Sequence, residues 1–272
     1  MTNPDMTIRA SSLSELFDCS ERWKAKYLLG MWMPSGPPAT IGKAIHRGTA
    51  VFDTQRLLGS APSVEDAVEA AVHEVRNPDG EVNWDEMRPA EAIDIAARLT
   101  LNYCTDIAPK FTYRKVEMKL DSFDVQASNG VVIRFTGHVD RQYTLNDQYG
   151  TLDFKTGKQV VKSDGTVSVQ LSAAQLGTYE LMELMATNTE KVQHILPAMI
   201  VAMPTAGKQL PKAVKVNNPH TLLIGDEQNK GLIDIAAQIY KHDLFAGNPR
   251  SMLCNVKYCP AFNKCRWRLT GE

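Results

Sequence analysis

GHVDRQYTLNDQYGTLDFKTGK, residues 137–158, decides how this chain is read. The first arm alternates as a strand, NDQYG (146–150) is a turn, and GTLDFKTG is a returning strand. Alternation along that second strand puts Asp153 and Lys155 on one face and Phe154 on the other. Asp140, in the middle of the first arm, reaches the same neighbourhood across the hairpin. Two carboxylates and a lysine gathered on a sheet are costly to bury without a cation. Oxygen donors of this kind suit Mg²⁺ or Mn²⁺, which commonly bridge carboxylates and substrate phosphate. A lysine beside them orients a water or stabilises charge developing on a phosphoryl group. The alternative is a surface hairpin with solvated charges, because D-x-K is a short pattern.

Working outward, Gln175 and Tyr179 in QLGTY lie four residues apart on the following helix and share one of its faces. They point together at a substrate, or else they are a core aromatic with a glutamine on its rim. His46 lies in GKAIH, where Gly42 permits close backbone approach; a helix histidine satisfied internally is the other reading. Glu117, on the strand before the hairpin, is a further acidic neighbour or an exposed strand residue.

The rest of the chain supplies the frame. Ser12-Leu-Ser-Glu15 is a capping-box pattern that opens a helix running to Gly30, with Cys19 inside it. Helices are predicted over 39–58, 63–75 and 89–107, the last with Pro89 in its first turn. YRKVEMKLD, FDVQAS, VVIRFTGHVDRQYTL and GTLDFKTG then read as strands, with Asn129-Gly130 as a hairpin turn. A helix follows at 172–187 with Ser172 as its N-cap, then a buried strand at 195–204, short edge strands within 211–224, and a helix over 226–247. Helices, an antiparallel meander, then helix, strand and helix make an α/β sandwich with a mixed sheet, preceded by a helical lobe.

At 272 residues with 43% hydrophobic content, the chain can bury one sizeable core with an added lobe. No stretch reaches the ~18 apolar residues of a membrane span, and MTNPDMTIRASS lacks the charged start and apolar core of a signal peptide. The expectation is a cytosolic protein whose thiols stay reduced, so clustered cysteines indicate metal or catalysis rather than disulfides. Net charge is −1, which gives no whole-molecule attraction to nucleic acid. Locally the balance differs: Arg250, Lys257, Lys264, Arg266 and Arg268 fall in a segment with no Asp or Glu. That segment is either a solvated tail or a phosphate-binding patch. It also carries Cys254, Cys259 and Cys265, one thiolate short of a tetrahedral metal site. Cys104, in LTLNYCTDI, reads as a small core hydrophobe.

The ordered set G-x-x-x-H (42–46), G-x-x-D (137–140), D-x-K (153–155) and Q-x-x-x-Y (175–179) resembles the RecB-type nucleases of the PD-(D/E)xK superfamily. Within it the chain is similar to phage exonucleases, CRISPR-associated spacer-acquisition nucleases and the AddB nuclease domain, from residue 11 to about 268. The resemblance implies a restriction-endonuclease-like α/β core, its mixed central sheet flanked by helices, and an N-terminal helical lobe tied to the C-terminus by a metal cluster. The parts would be a lobe at 1–110, a nuclease core at 111–247 and a cysteine-rich segment at 248–272, forming one compact unit.

It further implies that His46, Asp140, Asp153 and the Phe154 carbonyl hold Mg²⁺ or Mn²⁺, that Lys155 is the catalytic lysine, and that Gln175 and Tyr179 position DNA or support Lys155. Cys19, Cys254, Cys259 and Cys265 would hold a [4Fe-4S] cluster, although the x4 and x5 gaps depart from the x2 first gap of several members. Spacing alone leaves iron–sulfur and zinc open, since four-cysteine clusters accept irregular gaps whereas zinc knuckles use short ones; with the resemblance, iron–sulfur is favoured. Lys257, Lys264, Arg266 and Arg268 become candidate DNA contacts. The implied activity is exonucleolytic hydrolysis of DNA, from single-stranded ends, in phage or bacterial recombination or repair. A helicase or annealing protein is the expected partner. The rival readings are a non-catalytic iron–sulfur accessory subunit and a zinc-stapled structural protein.

Overall fold

The computed structural model describes residues 3–146, 148–186 and 196–268, with the backbone alone at Leu171. Its sheet is built on β3 (Val132–Leu145), a strand of β-branched and aromatic residues. The strand β2 (Thr112–Gln126) runs antiparallel to it along nearly its full length, with register shifts between Tyr113 and Lys115 and between Leu120 and Phe123. β4 (Gln148–Gly157) pairs antiparallel with the second half of β3, from Arg141↔Leu152 to Leu145↔Gln148. β1 (Met6–Arg9) pairs parallel with the first half, from Met6↔Ile133 to Arg9↔Thr136. The sheet continues from β4 to the parallel strand β5 (Ala198–Pro204) and then the antiparallel edge strand β6 (Lys212–Val216). It is therefore a mixed sheet, as the element order predicts.

Helices cover both faces. α3 (Pro37–Leu57), α4 (Val64–Arg76) and α5 (Pro89–Asn102) bury Ile41, Ile45, Phe52, Ala71, Ala96 and Leu99 against Leu152, Phe154, Val201 and Met203 of the sheet. The opposite face takes α6 (Gln170–Ala186), whose Leu176, Tyr179 and Met182 pack on Val139, Ile200 and Ala202. Beside α6, the sheet residues Ile8, Ile133 and Phe135 meet Leu13 and Leu16 of α1 (Leu13–Asp18), Trp23 of α2 (Ser20–Tyr27), and Ile233 and Ala237 of α8 (Leu232–Lys241). A short turn of helix, α7 (Thr221–Ile224), follows β6. β5 is buried at every residue, the pattern of a strand covered on both faces.

Several local expectations shift. The helix predicted from Ser12 to Gly30 is two helices, broken at Cys19, which is extended (φ −151°, ψ 93°). The capping box does not form. Ser12 Oγ instead donates to the Arg9 carbonyl (2.9 Å) and accepts from the Trp23 indole (3.2 Å). Glu15 pairs with Arg22 (2.8 Å) and Lys26 (2.7 Å) across the break. The helix expected over 226–247 forms only at Leu232–Lys241, because Asp226 accepts from the backbone N–H groups of Gln228 and Asn229 and holds a turn there. α6 begins at Gln170, so Ser172 lies inside it rather than capping it. The two predicted strands YRKVEMKLD and FDVQAS are one bulged strand. Asp147 in the predicted turn, and the end of the predicted helix and start of the predicted strand at 187 and 195, lie outside the described residues. No helix among them is long and apolar enough to cross a membrane.

Candidate active site

The site arises from how β3 is shared. β2 occupies one edge of β3, so β1 and β4 must both use the other. β1 ends opposite Thr136 and β4 begins to pair only at Arg141, which leaves Gly137–Asp140 without a strand on that edge. An unpaired backbone group has to find a partner elsewhere. Past this fork the Phe154 N–H is taken by Asp140 Oδ2 at 2.7 Å. The opening is a pocket lined by Arg9 and Ser11 from the end of β1, by His138 and Asp140 of β3, and by Asp153 and Lys155 of β4.

Each side chain is fixed by its element. Asp153 and Lys155 share a face of β4, and Asp153 Oδ2 lies 2.5 Å from Lys155 Nζ. Phe154 points to the other side, where its ring meets His46, Tyr103 and the Arg141 guanidinium. α6 crosses the Asp153 face. One turn of it supplies Gln175, whose amide donates to Asp153 Oδ1 (2.8 Å) and to the Tyr179 hydroxyl (2.7 Å), while its carbonyl accepts from Lys155 Nζ (2.8 Å). Tyr179 rests directly on Gly137. A Cβ there would sit 3.0 Å from the ring and from Met182 Sδ, which explains the glycine of G-x-x-D. His46 comes from α3, and its Nδ1 lies 3.2 Å from Asp140 Oδ1.

The electrostatics divide the two carboxyl groups. Burial pushes the Asp153 carboxyl up to about 6, with Lys155 opposing the rise and the neighbouring Asp140 adding to it. Asp140 is equally buried, but the His46 imidazole and the Phe154 N–H outweigh that and hold its carboxyl below the usual range. Burial works against charge on His46, yet Asp140 overcomes it and raises the imidazole. Burial, then Asp153, raises the Tyr179 hydroxyl, so Tyr179 stays protonated and available as a hydrogen-bonding group.

Glu117 joins the set from β2. It stands opposite Asp140, between the pairs Val116↔Arg141 and Met118↔Val139, in a left-handed conformation (φ 47°) that is strained for a residue with a side chain. Ligand atoms of His46, Glu117 and Asp140 all lie within 4.8 Å of one another. Arg141 holds Glu117 in place through Nη1 (2.9 Å). Arg141 is itself fully buried, with Nε on Asp53 Oδ2 (2.7 Å) and Nη2 on Thr49 Oγ1 (3.0 Å), and Asp53 Oδ2 also accepts from the Tyr103 hydroxyl (2.6 Å). Sequence reasoning singled out neither Arg141 nor Asp53. The only signal was an arginine in mid-strand beside Asp140, at a position where a strand residue is normally apolar.

These residues fit a divalent cation. Asp153 Oδ2 is buried and receives no aligned hydrogen bond despite the nearby lysine, and ligand atoms of His46, Glu117 and Asp140 converge on one another in the same pocket. A histidine nitrogen with carboxylate oxygens, open to solvent on one side, matches a cation that keeps exchangeable positions.

The four cysteines expected to act together line a second pocket, with Asn248, Phe262 and Trp267. The helix break at Cys19 turns that thiol toward the tail, where the Asn248 N–H reaches Cys19 Sγ (3.4 Å). Neighbouring bonds join the two ends of the chain: Ala246 N–H donates to Ser20 Oγ (2.7 Å), and Ser251 Oγ donates to Asp18 Oδ2 (2.7 Å). Burial raises the Cys259 thiol, and the adjacent Cys19 and Cys265 add to the rise. Cys104 is elsewhere, buried in the α3–α5 core, where burial pushes its thiol up to about 12. Of the tail cations, Lys257 Nζ pairs with Glu86 (2.9 Å), Arg266 lies over Trp267, and Arg268 lies over Phe262. Lys264 is exposed.

A sequence profile for the PD-(D/E)XK nuclease superfamily matches residues 7–266. No curated protein sequence matches the chain significantly. Among solved structures, one described as "Putative exonuclease" from Eubacterium rectale is 13% identical, with a TM-score of 0.52 over 91% of this chain and 86% of that one. Another, SSO0001, is 14% identical over 99% of this chain and 91% of that one, with a TM-score of 0.45. At these identities the first likeness concerns the fold alone.

Proposed function

The chain belongs to the PD-(D/E)XK nuclease superfamily, and on that premise we propose that it is a deoxyribonuclease that removes nucleotides from DNA ends, single-stranded ends first. The observation that carries this reading is the fork in the sheet, which gathers His46, Asp140, Asp153 and Lys155 around one open pocket. Mg²⁺ or Mn²⁺ bound there supplies Lewis-acid polarisation of a phosphoryl oxygen and an acidified water. His46, Asp140, Asp153 and the Phe154 carbonyl would hold it, with Glu117 beside them. The protein's own groups do the rest. Lys155 brings a positive charge to the face where the phosphodiester gains negative charge. Gln175 fixes Lys155 and Asp153 relative to each other, and Tyr179 fixes Gln175. Such bonding keeps a flexible lysine where the reacting atoms pass.

The cysteines belong to the same proposal as a clasp. Cys19, Cys254, Cys259 and Cys265 would hold a [4Fe-4S] cluster that ties the helical lobe (1–110) and the tail (248–272) to the core (111–247). The four cysteines line one pocket, and the resemblance to cluster-bearing nucleases favours iron–sulfur over zinc there. Lys257, Lys264, Arg266 and Arg268 would then face DNA near the clasp, and a helicase or annealing protein would supply its ends in recombination or repair.

The test is digestion of 5′- and 3′-labelled single- and double-stranded DNA with Mg²⁺, Mn²⁺ or EDTA, after anaerobic purification and metal analysis. Stepwise mononucleotide release with either cation and none in EDTA is expected. Internal cuts alone would refute the end-directed mode, and zinc in place of iron would refute the cluster.

A further inference from the structure

Beyond the pocket under α6 lies a further groove. It opens where β4 and β5 end side by side, at the pair Gly157↔Pro204. One wall is the loop after β4 and the other is the loop after β5. Lys158, Lys162, Lys208 and Lys212 line it, and no Asp or Glu does. The nearest loop carboxylate, Asp164, is occupied by the N–H and hydroxyl of Thr166. Among the described residues none of the four lysines forms an ion pair.

The walls are built rather than loose. Val161 bridges Val167, and Lys162 N–H donates to the Thr166 carbonyl (2.8 Å). Lys212 Nζ reaches across to the Gly165 carbonyl (2.5 Å) and joins the two loops. On the far wall Gln209 lines the groove yet is only 8% exposed. Its amide donates to the Thr205 carbonyl (3.1 Å), its own carbonyl accepts from Asn102 (2.9 Å), and its Oε1 is buried without a partner. Its backbone is left-handed (φ 51°), a strained state for glutamine. A solvated lysine face does not need two locked loops, a strained residue and an orphaned buried oxygen to shape it.

Position gives the groove a meaning. Lys158 is three residues beyond Lys155, just past the end of β4, at most about 11 Å of extended chain away. We propose that this groove is the backbone-binding track for the DNA strand running through the active site, with the four lysines contacting successive phosphates. The proposal rests on the nuclease reading. Lysines act here as point charges for phosphate and carry no sequence information, which suits an enzyme that must pass any sequence.

Phosphate contacts release counterions, so each one contributes about 0.7 to the slope of log K against log salt on a single strand. The experiment is fluorescence anisotropy of a labelled single-stranded oligonucleotide in EDTA across a KCl series. It compares the native protein with K158Q/K162Q/K208Q/K212Q and with the triple variant that retains Lys212 and its bond between the loops. The slope should fall in magnitude by about 2 to 3 in the quadruple variant and about 2 in the triple one. Cleavage of a dinucleotide, too short to reach the groove, should be unchanged. A triple variant that folds and keeps the native slope overturns the groove alone. A native protein that does not bind DNA overturns the groove and the nuclease reading together.

Discussion

In the pocket under α6, the polar groups around the cation position are already held by other side chains: Asp153 by Gln175 and Lys155, Asp140 by the Phe154 N–H, Glu117 by Arg141. In the cysteine pocket the four thiols are brought together by a helix break and irregular tail loops, and backbone N–H groups reach two of the sulfurs, Asn248 to Cys19 and Ala261 to Cys259. The first site is preorganised by a sheet and two helices before any ion binds, which is where electrostatic catalysis gains most. The second draws its thiols from both ends of the chain, so a metal group bound there would contribute its binding energy directly to folding. In the proposed reading one pocket acts on a ligand and the other is completed by one.

That contrast can be broken in four ways, and loss of the Asp153 carboxylate should have the largest effect. Next in size, Cys259→Ala should abolish the visible iron–sulfur absorbance and lower the melting midpoint by at least about 5 °C, equivalent to roughly 2 kcal/mol at 2–4 °C per kcal/mol for a domain of this size. An unchanged midpoint with the absorbance gone would mean that the cysteines are not a clasp. A smaller effect is expected from Arg141→Lys, which keeps the buried charge but loses the fork that reaches Asp53, Thr49 and Glu117 together. Mn²⁺ affinity by calorimetry should fall about 10- to 100-fold, with the cysteine pocket's absorbance untouched.

The smallest effect is in pH. Because Asp153 is raised to about 6, proton and cation compete for it. Mn²⁺ affinity should be flat above that value and fall about tenfold per pH unit below it. The ion-free protein should behave oppositely. Its native state holds the Asp153 proton more tightly than the unfolded chain, so stability declines as pH rises from 3.8 toward about 6. A cation affinity insensitive to pH in that window would remove Asp153 from the ligand set.

The parts of this molecule readable from sequence were those governed by period and local chemistry. Alternation placed Asp153 and Lys155 on one face, and helical spacing paired Gln175 with Tyr179; both hold in three dimensions. The mixed sheet with flanking helices also followed from element order. What stayed hidden depends on contacts distant in sequence. MTIR is too short to show a strand period, yet β1 determines where the fork opens. Arg141 looks like any strand arginine until Asp53, 88 residues away, is placed beside it. Ser12 and Glu15 spell a capping box, but Trp23, Arg22 and Lys26 claim their side chains. The lysines of the groove come from the loop after β4, the loop after β5 and the first residue of β6, with a helix and a strand between the two loops, and no linear pattern joins them.

The most direct measurement compares DNA hydrolysis by the native protein and by Asp153→Ala, each with Mn²⁺ and with EDTA, alongside circular dichroism and the iron–sulfur spectrum. The native protein with Mn²⁺ should degrade DNA. The variant should lose at least about 10³-fold in rate, the upper range for removing one preorganised charged group, while keeping its helical signal and its absorbance near native levels. Asp153→Ala that remains folded and cuts at the native rate would contradict the assignment of the forked sheet as the catalytic centre.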